Sequence, residues 1–515
     1  MKNYTTILKT ILNTRTKKIA AYVAAVLFWF VIWHIAAVFI NETIILPKPF
    51  LVLKTLYTLS FTGAFWEAIL NTLIRIITGY LAGFVFGVIL AVLTYKYALL
   101  KILFYPLIST IKATPVASFI ILALMWLKTG QLSIFITFLM TVPLIWANVY
   151  AGIESTDNKL LEMGSVFKFN RAKQIRYIIL PAVLPFLLSA ATTALGFAWK
   201  SGVAAEVLGA VNNTIGGQLF NSKIYLDMPN MFAWTITVIL LSVLLEKGFV
   251  KLTVVIKNNL YMNSKLNLFG NCAVQGRRPP LYEDIAREDN EAMCSFRRGL
   301  FKSKQEMSIL SQENHAETEK YPKTKSVENC ISIQSLNKSY GQTKVLDNFS
   351  YDFPPNGIVY IGGRSGSGKT TLLRILAKLE TPDSGIIKNI DDRKISMVFQ
   401  EDRLLKELTA INNINVILQD KTKIFLSHHF LKLTGLSEWE DADIAELSGG
   451  MARRVAIARA LTYGGDILLM DEPFKGIDEK ALQPILAEIE KISETTLILI
   501  VTHEVPDSTD NKIIF

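Results

Sequence analysis

Eight residues, Gly363-Arg364-Ser365-Gly366-Ser367-Gly368-Lys369-Thr370, have the composition and spacing of a loop that wraps phosphate. They stand between an apolar run, Ile358 to Ile361, that reads as a strand and an apolar-periodic stretch through Leu379 that reads as a helix. In that setting the glycines let backbone N–H groups close around phosphate oxygens, and the helix N-terminus adds the positive end of its dipole. Lys369 can reach the β- and γ-phosphates and Thr370 can hold Mg²⁺, while Ser365 and Thr371 add polar contacts. Further on, Ile467-Leu468-Leu469-Met470 runs straight into Asp471-Glu472, and Leu497 to Val501 ends at Thr502-His503. Both runs read as buried parallel strands, and ligands of such sheets bind beyond the carboxyl ends of the strands. Asp471 then falls at the metal, Glu472 against an attacking water and His503 at the γ-phosphate, which is the chemistry of nucleoside triphosphate hydrolysis.

Shortly before that carboxylate pair, Leu447-Ser448-Gly449-Gly450-Met451 opens a helix bearing Arg453, Arg454 and Arg459. Ser448 and the glycine N–H groups make a second helix N-terminus that can approach a γ-phosphate its own chain does not hold, so two copies are needed. The pattern resembles the LSGGQ signature of ABC ATPases, with Met451 in place of Gln, and the resemblance runs from about Ile331 to Phe515. It implies Tyr340 as the aromatic that stacks on adenine, Gln400 as the Q-loop residue near the metal and Asp478 as the D-loop carboxylate. It also implies ATP and Mg²⁺ as cofactors and a head-to-tail pair of ATPases. The sequence departs from the family at Met451, at the D-loop Lys475-Gly476-Ile477-Asp478 and in the short stretch after His503, where no regulatory domain is expected. Cys272, Cys294 and Cys330 show neither a disulfide framework nor zinc-site spacing.

The elements that must turn hydrolysis into work lie in a different kind of polymer. The 515 residues are 51% hydrophobic and 19% charged, with mean hydropathy +0.33, too apolar for one ordinary soluble domain. Residues 1–250 hold 20 Lys/Arg against 8 Asp/Glu, and the remainder 34 against 36. The basic excess therefore sits wholly beside apolar runs, where it sets membrane orientation and does not mark a nucleic-acid partner. Six stretches qualify as spans: Ala20–Ile40, Thr72–Leu93, Leu99–Trp126, Leu132–Val149, Leu184–Leu208 and Asn230–Val250. The first reads as a retained anchor, since it is longer than a signal-peptide core, and the third is interrupted by Pro106, Lys112 and Pro115. Lys and Arg in alternate loops place both termini and the loop from Gly152 to Pro181 in the cytoplasm. Gly79, Gly83 and Gly87 form a small-residue stripe for close helix approach. Lys200 and Glu206 are candidates for the translocation path, with an interfacial position as the alternative for Lys200.

In that cytoplasmic loop, Leu161-Glu162-Met163-Gly164, then Lys168, then Ile178-Ile179-Leu180-Pro181 resembles the EAA…G…I-x-L-P coupling loop of ABC importer permeases. Glu162, Ile178, Leu180 and Pro181 fall at the family spacing, whereas Met163 and Gly164 replace two alanines and Lys168 replaces the glycine. The expected domains are a permease at 1–257, a polar linker at 258–328 and the ATPase at 329–515. A flexible linker of that length typically spans about 46 Å, which leaves open whether the ATPase docks on its own permease or on a second copy's. With Leu46-Pro47-Lys48-Pro49 and Val398-Phe399-Gln400-Glu401-Asp402-Arg403-Leu404-Leu405, the whole resembles importers of the nitrate/sulfonate/taurine group, which includes thiamine-precursor relatives. That resemblance implies an α-helical membrane bundle of about six spans, a type I importer permease, followed by an α/β P-loop ABC ATPase. It further implies ATP-driven uptake of a small solute across the cytoplasmic membrane, with a second copy of the chain and an extracellular solute-binding protein as partners. The alternatives are an ABC half-exporter and a membrane-anchored ATP-dependent sensor that transports nothing.

Overall fold

The computed structural model describes residues 2–266, 330–364, 366–420, 423–502 and 511–515. The chain divides into two compact units, Met1–Thr156 with Ala182–Ile256 and Asp157–Pro181 with Lys257–Phe515. The loop carrying Glu162 is thus part of the second unit. Its helices and those of the first unit run in chain order as α1 (Lys2–Ile40), α2 (Pro49–Ser60), α3 (Gly63–Lys96), α4 (Ala98–Ala113), α5 (Val116–Leu124), α6 (Thr129–Glu154), α7 (Asn158–Val166), α8 (Arg171–Gln174), α9 (Leu180–Leu208), α10 (Ile215–Ile224) and α11 (Met228–Leu266). The expected linker begins inside α11, and residues 267–328 lie outside the described residues.

Among the described residues four helical segments are long and apolar enough to cross a bilayer: Ala20–Ile40, Gly63–Lys96, Thr129–Glu154 and Arg171–Leu208. The third expected span is not one straight helix. Thr114 adopts an extended backbone ahead of Pro115, which caps α5, so α4 and α5 meet at a bend of 103°. Pro106 is absorbed within α4. The sixth expected stretch, Asn230–Val250, lies on α11.

Lipid offers helices no hydrophobic gain on association, so close packing and hydrogen bonds hold the first unit together. The glycine stripe of α3 lies on α6: a Cβ at Gly79 would come 2.4 Å from the Ile134 carbonyl oxygen, at Gly83 2.8 Å from Thr141 Cβ, and at Gly87 2.9 Å from Ile145 Cβ. Around this seam the Trp146 Nε1–H donates to Thr94 Oγ1 at 2.9 Å and the Tyr80 hydroxyl to the Ala191 carbonyl at 3.0 Å.

The second unit places β1 (Ser332–Tyr340), β2 (Thr343–Asp352), β3 (Gly357–Gly362), α12 (Lys369–Leu376), β4 (Ser384–Lys388), β5 (Ile395–Val398), α13 (Ala410–Asn415), α14 (Ile424–Leu433), α15 (Gly449–Tyr463), β6 (Ile467–Asp471), α16 (Glu479–Ser493), β7 (Leu497–Val501) and β8 (Lys512–Ile514). Antiparallel strands form one sheet in the order β2-β1-β4, and parallel strands a second in the order β5-β6-β7-β3-β8. β5, β6 and β7 are buried at every residue, which is why β6 and β7 read as apolar runs and not as alternating ones.

The α3–α6 seam has a direct test. Gly83→Leu forces a side chain into Thr141 and lowers stability by about 1–3 kcal/mol, whereas Gly196→Ala on α9, where a Cβ meets nothing within 4 Å, leaves it unchanged or slightly higher. Thermal unfolding of the detergent-solubilised protein separates the two variants; equal midpoints contradict the packing.

Candidate functional site

Strand register sets the site. Ile361 pairs with Val501, and Val501 in turn with Asp471, so β3, β6 and β7 end in one row. The phosphate-binding loop leaves β3 and enters α12 through Gly368, whose φ of +103° suits glycine alone; a Cβ there would also lie 2.8 Å from the Val345 carbonyl oxygen. Lys369, 7% exposed, is folded back over the loop, its Nζ donating to the carbonyls of Gly363 at 2.8 Å and Arg364 at 2.7 Å. The ammonium therefore already spans the mouth of the loop. Ser365 and His503 lie outside the described residues.

Beside the loop, the Thr370 hydroxyl donates to the buried carboxyl of Asp471. Burial pushes the Asp471 carboxyl above the usual carboxylate range, with the Thr370 hydrogen bond opposing the shift. Its Oδ1 is buried with no hydrogen-bond partner. Such an oxygen is costly unless something cationic meets it, and Thr370 with Asp471 is the hard-oxygen pair that suits Mg²⁺. Gln400, exposed just past β5, can supply a further oxygen. Glu472 turns out of β6 with φ +47°, its N–H held by the Val501 carbonyl at 3.0 Å and its side chain 3.8 Å from the Lys475 ammonium.

The signature forms the expected helix start. Ser448 caps α15, its Oγ accepting from the Met451 N–H at 3.3 Å, so the cap uses a backbone group that the change from Gln to Met leaves intact. Gly450 packs against the D-loop, where a Cβ would fall 2.4 Å from the Gly476 carbonyl oxygen, and Asp478 caps α16. Tyr340 is half exposed, and its hydroxyl hydrogen-bonds Glu380.

The loop from Asp157 to Pro181 belongs to this unit by packing as well as by charge. Met163, Val166, Phe167, Phe169 and Ile178 are buried in one core with strands β3, β6 and β7. Phe167, 1% exposed, meets the Tyr463 ring edge-on at 5.1 Å, and the Arg459 guanidinium stands 5.3 Å from its centre. Glu162 lies between two guanidinium groups: Arg374 donates from Nη1 at 3.0 Å and Nη2 at 2.8 Å, and Arg403 from Nη1 at 2.7 Å. The Arg374 pairing, with Arg403 second, holds the Glu162 carboxyl below its ordinary value. Lys173 Nζ adds bonds to the carbonyls of Val416 at 2.8 Å and Leu418 at 2.9 Å. Five buried apolar side chains at about 1.5–3 kcal/mol each outweigh the charged contacts, so the plug supplies affinity and the Glu162 clamp sets its register.

Two departures from the family loop have physical readings here. Lys168 has φ +52°, a left-handed backbone that favours the glycine the family carries. Gly164 is buried, and a Cβ at that position would be 3.3 Å from Ile178 Cδ1, so the family's alanine would require that methyl to shift by a few tenths of an ångström. Pro181 ends the segment inside α9.

The two charges singled out in the membrane half face different surroundings. Lys200 is exposed on α9. Glu206 is fully buried, and one of its oxygens, Oε2, accepts from Thr72 Oγ1 at 2.8 Å and from the Gly216 N–H at 3.3 Å, joining α9 to α3 and the start of α10. Arg374 and Glu380 carried no signal in the sequence, because a basic and an acidic residue around an amphipathic helix usually mark only its solvated face.

A helical membrane domain and an α/β nucleotide-hydrolysing domain of this make define a membrane-bound P-loop ATPase. Residues 346–475 match the family model described as ABC transporter, and residues 83–246 that described as binding-protein-dependent transport system inner membrane component. The aliphatic sulfonates import ATP-binding protein SsuB of Granulibacter bethesdensis is 36% identical over 181 residues, 35% of this chain and 75% of that protein. The sulfate/thiosulfate import ATP-binding protein CysA of Vibrio vulnificus is 36% identical over 194 residues, 34% of this chain and 56% of that protein. The methionine import ATP-binding protein MetN of Clostridium tetani is 38% identical over 195 residues, covering 34% and 61%. A dimeric ATP-binding cassette solved in a post-hydrolysis state with ADP and Pi is 29% identical, covering 34% of this chain and 88% of that one, with a TM-score of 0.31. The chain belongs to the ABC transporter family: it is a multi-pass, ATP-hydrolysing protein of the importer type, with permease and ATP-binding domain fused.

Hydrogen–deuterium exchange tests the clamp. Glu162→Ala takes the carboxylate from Arg403, leaves Arg374 with Glu380 alone and weakens seating of Asp157–Pro181 by about 1–3 kcal/mol, more than Arg374→Ala, which leaves Arg403 in place. Because the carboxyl is depressed, wild-type seating is fully present above about pH 4.3 and is lost only as the pH falls through the lower folded value. Protection of this segment that is the same in all three proteins contradicts the assignment.

Proposed function

We propose that the chain is one half of a homodimeric importer that takes up a small anion of the sulfonate, nitrate or taurine kind, or a thiamine precursor. An extracellular binding protein delivers the solute, and the ATPase faces the cytoplasm. The observation that carries the reading is Glu162 held by Arg374 and Arg403, an importer permease motif seated on an ATPase of the same chain. The sulfonate and sulfate specificity in the names of two relatives supports an anionic solute. The match over residues 83–246 disfavours both a half-exporter and a sensor without transport.

ATP seats on the phosphate-binding loop, with adenine on Tyr340 and phosphates cradled by Gly363, Ser365, Gly366, Gly368, Lys369, Thr370 and Thr371. Lys369 exchanges its carbonyl partners for phosphate oxygens. Bound Mg²⁺, held by Thr370, Asp471 and Gln400, supplies charge neutralisation at the phosphates. Ser448, Gly449 and Gly450 of one copy close over the γ-phosphate held by the other, with Asp478 at the joint. Glu472 polarises the attacking water and His503 contacts the γ-phosphate. Closure and reopening move the plug from Asp157 to Pro181, and the permease alternates its access with it.

Glu472→Gln keeps ATP binding and lowers turnover by about 10²–10⁴-fold, measured as phosphate release from protein in lipid nanodiscs. Wild-type turnover in that variant removes Glu472 as the base. Lys369→Ala protein supplied with ATP accumulates no labelled taurine, alkanesulfonate, nitrate or thiamine precursor in vesicles; uptake by it overturns the motor.

A further inference from the structure

Arg453 stands five residues inside the signature helix, about 7.5 Å along its axis from Ser448, and is 4% exposed. A guanidinium so buried is expected to face carboxylates, yet five of its six acceptors are main-chain carbonyls. Nη1 donates to Phe399 at 2.5 Å and Gln400 at 3.2 Å; Nη2 to Asp471 at 2.8 Å and Glu472 at 2.6 Å; and Nε to Pro473 at 3.0 Å. The sixth acceptor is Asp402 Oδ1, at 3.2 Å. These carbonyls lie at or just past the ends of β5 and β6, neighbours in the parallel sheet, where the ladder gives out and carbonyls lose their partners. Only a planar fork with five donors can serve both strand ends at once.

Both strand ends lead to hydrolytic groups. The β5 end carries Gln400, and the β6 end carries Asp471 and Glu472. Glu472 keeps a left-handed backbone, φ +47°, that residues with a Cβ rarely adopt. The bonds to the carbonyls on either side of its φ and ψ hold it there, and with them the direction of its carboxylate.

We propose that Arg453 is a positioning residue for hydrolysis. It fixes the backbone that presents Glu472 and Gln400, and it ties that backbone to the helix whose other end, at Ser448, answers to the ATP of the second copy. The signature helix thus links the two composite sites: its N-terminus reads one nucleotide and its Arg453 sets the hydrolytic groups beside the other. The proposal rests on the assignment of Glu472 as base and of Ser448 as a contact in trans.

The test uses the full chain in nanodiscs. Arg453→Gln retains ATP affinity within about twofold and loses about 10²-fold in kcat, the cost of misplacing a reacting group by about 1 Å. Arg453→Lys, which keeps the charge but not the fork, recovers only part of the rate. In a Glu472→Gln background, Arg453→Gln lowers single-turnover hydrolysis no further, since both changes act on one step. Full turnover in Arg453→Gln, a parallel loss of ATP affinity and unfolding midpoint with kcat, or effects that multiply with Glu472→Gln overturn the proposal. Loss of turnover in Glu472→Gln with full turnover in Arg453→Gln overturns it alone; full turnover in Glu472→Gln overturns the base assignment and the proposal together.

Discussion

A carboxylate between two guanidinium groups is the constraint on which the molecule depends. Glu162 reaches Arg374, on the helix that follows the phosphate-binding loop, and Arg403, just beyond Gln400. Movement of either segment must therefore act on Glu162. Apolar burial around Met163 and Phe167 holds the segment in place, but burial is indifferent to small rotations, whereas a bidentate pair is not. Division of labour between an apolar plug and a charged clamp gives a joint that is both strong and directional. The segment lies in one compact unit with the ATPase residues.

The same economy recurs at the sheet. Three strands ending in one row bring together the phosphate loop, Asp471 and Glu472. Carbonyls freed at the strand ends are collected by Arg453, and those at the loop mouth by Lys369. Polar backbone that folding leaves without partners is thereby used to set the positions of charged side chains.

Local motifs were legible in the sequence because their chemistry and their geometry share one short segment. Gly363 to Thr370, the run into Asp471-Glu472 and the Ser448 cap each declare strand, loop or helix start within ten residues or so, and the register of β3, β6 and β7 agrees with them. The glycine stripe was legible for the same reason, since spacing by four fixes one helix face. Contacts between distant segments were not legible. Arg374 and Glu162 are 212 residues apart, and nothing around either names the other. Arg453 read as part of a basic flank, because its acceptors are carbonyls, which every residue has. In the third span Pro115 marked the interruption but not the 103° bend that follows from it, and Lys168 stands at a left-handed position that only the family's glycine hinted at.

If hydrolysis is converted to movement through Glu162, transport and hydrolysis come apart when its carboxylate is removed. The most direct measurement is the number of ATP molecules hydrolysed per solute imported, in proteoliposomes loaded with ATP and given a labelled alkanesulfonate with its binding protein. Glu162→Ala is expected to continue hydrolysing ATP while import falls to background, so that the ratio diverges from the wild-type value. Import by Glu162→Ala at the wild-type ratio contradicts coupling through Glu162.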